Sequence, residues 1–299
     1  MVEDISLRKT KKGSIIVLCY RRTTHLERVI DALAKAEGIE NFHAVFVAQD
    51  PTPPIIEIIE SFPYEKSVIR TDGSAYRSSA QAINGNLYVG LNFVFTKMQF
   101  ESVIVLEDDI VISVDALNYF DEMISKFSQV RSFRGVNGFS EVVPLPEDSG
   151  AFVKTAFGLG WGWAINSRSF AQISRYWNGT EDDHWDFIFE PYIRTGFVIN
   201  PLRSRVLNIG FDETATHTSL DSALGEKINE SFFAAQSSHG NFELNSDRDF
   251  CWRGENLSYS RLSLGTIFKY RFLFIIYFIF GNSRIYHRVR RSLGTARIQ

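Results

Sequence analysis

Cysteine and proline are scarce in this chain of 299 residues, which has 2 Cys and 8 Pro. So few cysteines exclude a small disulfide scaffold, and 20 Gly are far fewer than the third of all residues that a collagen-like repeat needs. The cysteines, Cys19 and Cys251, lie far apart, and we expect buried free thiols in a reducing compartment. The 26 Phe, 11 Tyr and 5 Trp exclude general disorder and predict a large core.

Acidic and basic residues are unevenly distributed, although the net charge is only -3. Residues 261–299 contain eight Arg or Lys and no Asp or Glu, which leaves 24 basic and 35 acidic residues before them. An acidic body does not fit a nucleic-acid partner, because nucleic-acid binding needs a basic face. Residues 1–14 contain no apolar segment typical of a signal peptide or membrane anchor, so we expect a cytoplasmic protein.

Apolar runs typical of buried strands alternate with segments of helical spacing through the first 127 residues. Predicted strands cover residues 14–20, 43–49, 67–70 and 102–106, and predicted helices cover 26–33, 54–62, 80–98 and 114–127. This alternation predicts an α/β fold whose central sheet is mostly parallel and flanked by helices. Ligands bind such sheets at the carboxyl ends of the strands, which are here residues 20–22, 49–50 and 107–109.

Three adjacent carboxylates, Glu107, Asp108 and Asp109, follow the buried strand 102–106 and precede another apolar run. Like charges this close destabilise one another. A divalent cation compensates them, held by one or two carboxylates and by the phosphates of a ligand. The alternative is a solvated acidic turn or a helix cap, but the buried flanks favour a metal site.

The motifs around these carboxylates occur in a characteristic order across about residues 14 to 220. They are IIVLCYRRTTHLERVIDAL, FVAQD, VIVLEDD, ALNYF, FGLGWGWAI, HWDFIF and NPLRSRV. In this order the chain resembles the nucleotide-sugar glycosyltransferases of the GT-A fold, and more specifically the N-acetylglucosaminyltransferase I family. The resemblance implies a Rossmann-like nucleotide-diphospho-sugar transferase fold. It also implies an inverting enzyme that adds β-linked N-acetylglucosamine (GlcNAc) to mannose, from UDP-GlcNAc and with manganese.

The resemblance assigns three residues to the nucleotide. Arg22 would contact the phosphates, for which the guanidinium fork is suited, although an arginine that caps a helix is the alternative. Asp50 would accept a hydrogen bond from the uracil ring, and its alternative is a plain Asp-Pro turn. Asn86 stands where the family has a histidine beside the uracil.

The resemblance makes Asp109 the direct ligand of Mn²⁺ or Mg²⁺. Glu107 and Asp108 would contact ribose or sugar hydroxyls and help to neutralise the ion. Leu159 would line the pocket for the donor sugar, with Trp161 nearby. The Trp-Gly-Trp sequence also fits tight core packing, and that alternative stays open.

Asp186 is the candidate general base, because an inverting transferase needs a carboxylate that removes the proton of the acceptor hydroxyl. Residues 181–183 are acidic alternatives, and Asp186 is preferred because the family places its base after the tryptophan. Trp185 would form part of a sugar platform, although a tryptophan is more often a core residue. Phe187 replaces the second carboxylate of the family, and Thr216 is a candidate to lie over the phosphates.

The resemblance and the composition together divide the chain. We expect an N-terminal extension (1–13), a GT-A catalytic domain (14–250) and a basic, apolar C-terminal tail (251–299). The catalytic domain has a nucleotide-binding half, 14–129, and an acceptor half, 130–250.

The tail contains nine uninterrupted apolar residues, 272–280, and every charged residue near them is basic. Nine residues are too few for a helix to span a bilayer. Residues 266–291 therefore predict peripheral contact with an anionic membrane at the inner face of the cytoplasmic membrane, where a lipid-linked glycan would be accessible. A helix that closes the core, or an oligomer interface, is the alternative.

These expectations define an inverting, metal-dependent glycosyltransferase that moves a sugar, GlcNAc, from a UDP-sugar to a glycan hydroxyl. One alternative is a nucleotidyltransferase on a sugar phosphate, but CYRRTTHL lacks the glycine loop that such enzymes need after the first strand. Another is a catalytically inactive glycan-binding or scaffold protein of the same fold. The presence of Asp109 and Asp186 counts against that alternative.

Overall fold

The computed structural model describes residues 11–140, 151–156 and 159–210, and the backbone of 243–244. The predicted membrane contact of residues 266–291 lies outside these ranges and stays a prediction. Thr216 and Cys251 also lie outside them. Cys19, which is described, is a buried free thiol as predicted.

Most strands of the described ranges belong to one sheet. In chain order the strands are β1 (Gly13–Cys19), β2 (Phe42–Gln49), β3 (Lys66–Thr71), β4 (Ser102–Glu107), β5 (Ile110–Ile112), β6 (Phe133–Asn137), β7 (Ala151–Thr155), β8 (Trp163–Asn166), β9 (Phe197–Pro201), β10 (Val206–Asn208) and β11 (Glu243–Leu244). Nine of them form the main sheet in the order β11-β7-β9-β6-β8-β4-β1-β2-β3, and β5 pairs with β10 in a separate antiparallel ribbon.

Helices connect these strands and cover the sheet. They are α1 (Thr23–Lys35), α2 (Pro53–Glu60), α3 (Ser79–Asn92), α4 (Ala116–Phe127), α5 (Ser167–Ile173) and α6 (Trp185–Ile193). The helical spacing of α1 buries Leu26, Val29 and Leu33 on one face. The predicted helix 80–98 continues past Asn92 as a π-helical segment, Phe93–Met98, a change of hydrogen-bond pattern that apolar spacing alone does not indicate.

The parallel part of the sheet positions the predicted ligand-binding residues. Strands β4, β1, β2 and β3 are neighbours and run in the same direction. Their carboxyl ends therefore lie along one edge, as the alternation of strands and helices predicts. Strand β8 is antiparallel to both β4 and β6, and so joins the two predicted halves of the catalytic domain in one sheet.

The sheet carries a hydrophobic core on each face. One core contains Val17 of β1 with α1, α2 and α4, and the other contains Ile16 of β1 with α3, α5 and α6. Burial on both faces accounts for the continuous apolar runs of the central strands. In the part of the chain that the structure describes, no helix is both long enough and apolar enough to cross a membrane.

Candidate active site

The acidic triplet lies in the turn between β4 and β5, at the carboxyl edge of the sheet. Glu107 is the last residue of β4, and Asp108 and Asp109 form the turn that follows. Asp108 is 5 % exposed and Asp109 is 6 % exposed. Two buried carboxylates at one turn require compensation, which excludes the solvated acidic turn of the sequence analysis.

Arg22 provides part of that compensation from the carboxyl end of β1. Its Nη2 lies 2.7 Å from Oδ1 of Asp108 and 2.7 Å from Oδ2 of Asp109. The backbone N–H of Tyr20 donates to the other oxygen of Asp108 at 3.1 Å. Among the described residues, nothing donates to Oδ1 of Asp109, although that atom is buried. Of the four carboxylate oxygens of Asp108 and Asp109, Oδ1 of Asp109 is therefore the one without a partner within these ranges.

Burial and mutual repulsion affect the protonation of the turn. Burial raises the pKa of Glu107 to about 7, and the charge of Asp109 adds to the increase. Burial also raises the pKa of Asp108, although Arg22 opposes this effect. For Arg22, the charges of Asp108 and Asp109 outweigh burial and raise the pKa of the guanidinium.

The donor set fits a cation that the protein holds through few ligands. Within the described ranges, no group of three or more His, Cys, Asp or Glu side chains is arranged to hold a metal ion. Mg²⁺ and similar hard cations often take only one or two carboxylates and complete their coordination with phosphates and water. Oδ1 of Asp109, which has no partner in the described part of the chain, fits such a site.

Asp50 and Asn86 lie at the same edge, beyond the carboxyl ends of β2 and β3. Asp50 is exposed and has a left-handed backbone with φ 43°, and its Oδ1 accepts the N–H of Gly73 at 2.9 Å. Asn86 of α3 is buried and donates to Oε1 of Gln49 at 2.8 Å. The hydroxyl of Tyr76 donates to Asn86 at 3.2 Å. Asp50 is therefore accessible to a ligand, whereas Asn86 holds its neighbours in place.

Asp186 lies in the first turn of α6 with a partly exposed side chain. Its Oδ1 lies 2.8 Å from Nδ1 of His184. The charge of Glu107 contributes to raising the pKa of His184, and His184 lowers that of Glu107. The charges of His184 and Glu107 therefore influence each other, and His184 connects the candidate base electrostatically with the acidic turn.

Trp185 is a core residue rather than an exposed platform. It is 4 % exposed, and its ring centroid lies 5.0 Å from that of Trp163 and 5.6 Å from that of Phe189. A sugar ring stacks on an aromatic face that solvent can reach, and these neighbours cover the indole. The structure thus supports the alternative reading of Trp185 and corrects the expectation of a sugar platform.

The glycine-rich segment before β8 is held against the sheet. Leu159 is 6 % exposed, and the ring of half-buried Trp161 lies 4.7 Å from that of Phe139. The N–H of Gly160 donates to Asn137 of β6 at 2.9 Å. Among the described residues, a Cβ added at Gly160 would meet nothing within 4 Å, so this backbone borders open space within those ranges.

Asn84 is a supporting residue that sequence reasoning missed. It is fully buried in α3, and its Nδ2 donates to the carbonyls of Glu181 and Asp183 at 3.0 and 2.6 Å. Its Oδ1 accepts the indole N–H of Trp177 at 3.2 Å. Asn84 thus anchors the loop that leads into His184. An asparagine beside the apolar positions Ile83 and Leu87 was the available signal.

Comparisons with known proteins identify the same family as the order of the sequence motifs. The model of the GNT-I family matches residues 3–236. The alpha-1,3-mannosyl-glycoprotein 2-beta-N-acetylglucosaminyltransferase of Arabidopsis thaliana is 22% identical over 213 residues. That match covers 66% of this chain and 47% of the relative, so the chain spans about half the length of this curated relative.

A solved structure gives a weaker likeness. It is the mannosyltransferase PcManGT from Pyrobaculum calidifontis, in complex with GDP-Man and Mn²⁺. The TM-score is 0.47 and the identity 15%, and the match covers 68% of this chain and 58% of that one. A likeness of this size is too slight to support an inference about this chain. The family model, by contrast, covers well over half of the chain, and the chain belongs to the GNT-I family, as the order of its motifs predicts.

Proposed function

We propose that this chain is an inverting glycosyltransferase that moves GlcNAc from UDP-GlcNAc to a hydroxyl of a glycan. The observation that carries the proposal is the buried turn at the end of β4, where Arg22 pairs with both aspartates and one oxygen of Asp109 lacks a described partner. Membership of the GNT-I family supports sugar transfer. The name of the Arabidopsis relative supports GlcNAc as the sugar and a mannosyl glycan as the acceptor.

The carboxyl edge of the sheet would bind the donor. Arg22 would contact the diphosphate, since a guanidinium fork matches phosphate oxygens. Asp50 would accept a hydrogen bond from the uracil ring, because its carboxylate is exposed beside Gly73. Leu159 and Trp161 would border the sugar, next to the open space at Gly160.

Asp109 would hold Mn²⁺ or Mg²⁺, and Glu107 and Asp108 would contribute negative charge and contacts to ribose or sugar hydroxyls. A cation held by Asp109 would supply positive charge that stabilises the departing diphosphate. Asp109 fits this role because its Oδ1 is buried without a partner among the described residues, and a carboxylate oxygen is a preferred ligand of hard cations.

Asp186 would act as the general base. It removes the proton of the acceptor hydroxyl while the hydroxyl oxygen forms a bond to the anomeric carbon of the sugar. The bond between that carbon and the diphosphate oxygen breaks, and UDP leaves with the electron pair. Attack opposite the leaving group inverts the anomeric carbon, so an α-linked donor gives a β-linked product.

The experiment measures UDP release from a panel of UDP-sugars with Mn²⁺, with and without a mannose-terminated oligosaccharide. We expect release from UDP-GlcNAc that depends on the oligosaccharide, and a loss of at least about 100-fold in Asp109→Asn and in Asp186→Asn. Asp121→Asn is the matched control, because Asp121 lies on α4, pairs with Lys12 and carries no assigned role. Pyrophosphate release from a nucleoside triphosphate and a sugar phosphate would instead indicate a nucleotidyltransferase. No turnover and no binding of any UDP-sugar would refute the proposal.

A further inference from the structure

His184 and Asp186 form a hydrogen-bonded pair at the start of α6. His184 is the residue that precedes the helix, and its backbone is extended, with φ -63° and ψ 143°. Its Nδ1 lies 2.8 Å from Oδ1 of Asp186, and the side chains are 30% and 42% exposed. Both side chains are therefore partly accessible to solvent while they contact each other.

The backbone beneath this pair is fixed on both sides. Asn84 donates to the carbonyl of Asp183, the residue before His184, at 2.6 Å. Trp185, between the two partners, is buried against Trp163. Because the backbone is anchored, the orientation of the Asp186 carboxylate depends on its side-chain torsions, and the contact with His184 restricts them.

The charges around His184 favour a ring that donates from Nδ1. Burial lowers the pKa of His184, but the hydrogen bond to Asp186 and the charges of Asp186 and Glu107 outweigh it, so the pKa is raised. A charge-assisted bond to a carboxylate is stronger than a neutral one, and it holds its acceptor more firmly.

We propose that His184 is a positioning residue for the general base: its Nδ1–H holds Oδ1 of Asp186, so that the carboxylate keeps one orientation when the acceptor hydroxyl arrives. The inference rests on the proposed function, because it requires Asp186 to act as the base. It assigns His184 a role through Asp186 and no contact with the donor or with the reacting atoms.

Two substitutions at the same position test this role. His184→Phe keeps an aromatic ring beside Trp185 but removes the donor, whereas His184→Asn places an amide N–H close to the position of Nδ1. For UDP release from UDP-GlcNAc with Mn²⁺ and a mannose-terminated oligosaccharide, we expect kcat about tenfold lower in His184→Phe with an unchanged KM for the donor. We expect His184→Asn to stay within about threefold of the parent. Melting temperatures of both variants check that the fold is retained.

The outcomes separate this inference from the function on which it rests. If Asp186→Asn loses activity but His184→Phe does not, or if Asn and Phe at position 184 lose activity equally, the positioning role is refuted and the proposed function stands. If Asp186→Asn remains active, the assignment of the base fails and the role of His184 fails with it. A chain that turns over no UDP-sugar overturns both.

A readout without substrate tests the contact itself. In an NMR titration of the protein, Asp186→Asn should lower the pKa of the His184 ring, because both the hydrogen bond and the charge of Asp186 raise it. An unchanged pKa would remove the contact on which the inference depends.

Discussion

Replacing Arg22 should change the affinities for a cation and for a nucleotide in opposite directions. Its guanidinium lies 2.7 Å from Asp108 and 2.7 Å from Asp109, so it neutralises the carboxylates that Mn²⁺ would otherwise neutralise. Mn²⁺ alone has to compete with this pairing. A nucleoside diphosphate offers the guanidinium another anion and relieves the competition. Arg22→Gln should therefore bind Mn²⁺ more tightly without nucleotide and bind UDP less tightly with Mn²⁺.

The structure sets the size of this effect. Hydrogen bonds to charged groups contribute about 1.5–3 kcal/mol each in buried surroundings. Arg22 makes two of them, but 28% of its side chain is exposed and solvent screening weakens them, so we expect the pairing that Mn²⁺ must displace to contribute about 1–2 kcal/mol. That free energy corresponds to about a tenfold lower Kd for Mn²⁺ in Arg22→Gln. We expect the loss of the phosphate contact to raise the Kd for UDP by about the same factor.

Isothermal titration calorimetry of the full chain with Mn²⁺, and then with UDP in excess Mn²⁺, measures both constants. Arg21→Gln is the matched control, because it removes the same charge from the next residue, whose guanidinium lies over the Tyr20 ring. Arg21→Gln should leave both constants within about twofold, since an exposed charge acts weakly at a distance. If Arg22→Gln leaves the Kd for Mn²⁺ unchanged or raises it, the idea that Arg22 competes with the cation is wrong.

Three further predictions concern the same edge of the sheet. The pKa of Glu107 is raised from 4.5 to about 7, so between these pH values the folded state keeps a proton that the unfolded state loses. The free energy of unfolding should therefore fall as the pH rises from 4.5 to about 7. Glu107→Gln should remove up to about 3 kcal/mol of that fall. The free energy of unfolding is measured by urea denaturation between pH 5 and 8, and the same dependence on pH in the parent and in the variant would contradict this. Asn84→Ala leaves two carbonyls and an indole N–H without their partner, so we expect the free energy of unfolding to be about 2–4 kcal/mol lower in urea denaturation. A decrease below about 1 kcal/mol would contradict this expectation. A Cβ at Gly210 would collide with Oδ2 of Asp109, so Gly210→Ala should weaken Mn²⁺-dependent UDP binding at least about tenfold, and calorimetry that finds no change would refute the contact.

The sequence predicts the scaffold of the site well because the scaffold depends on local patterns. The four central residues of β4, 103–106, are apolar and lead directly into the acidic triplet, so the position of Glu107 at a strand end follows from the sequence alone. The shared edge follows from the parallel order of β4, β1 and β2. The motif order also predicts the family, which the family model confirms.

Side-chain partners depend on tertiary contacts, and there the sequence is a poor guide. A tryptophan is more often a core residue, but the sequence does not show what would cover Trp185, and it is β8 that brings Trp163 against it. Asn84 reads as an ordinary helix residue because its three partners lie more than 90 residues away along the chain. The sequence does not predict the π-helical segment either, since its apolar residues continue the spacing of α3.

The acidic turn illustrates how a site can be buried before its ligands arrive. Three carboxylates together in the interior would be costly if all were charged and unpaired. Here Glu107 is partly protonated near neutral pH, because its pKa is about 7, and Arg22 serves both aspartates. The proton on Glu107 and the guanidinium of Arg22 make the turn less negative, and one oxygen of Asp109 still has no described partner. The proton of Glu107 and the partly exposed guanidinium of Arg22 are both exchangeable partners, so a cation and a diphosphate can replace them without rearranging the strands that hold the turn.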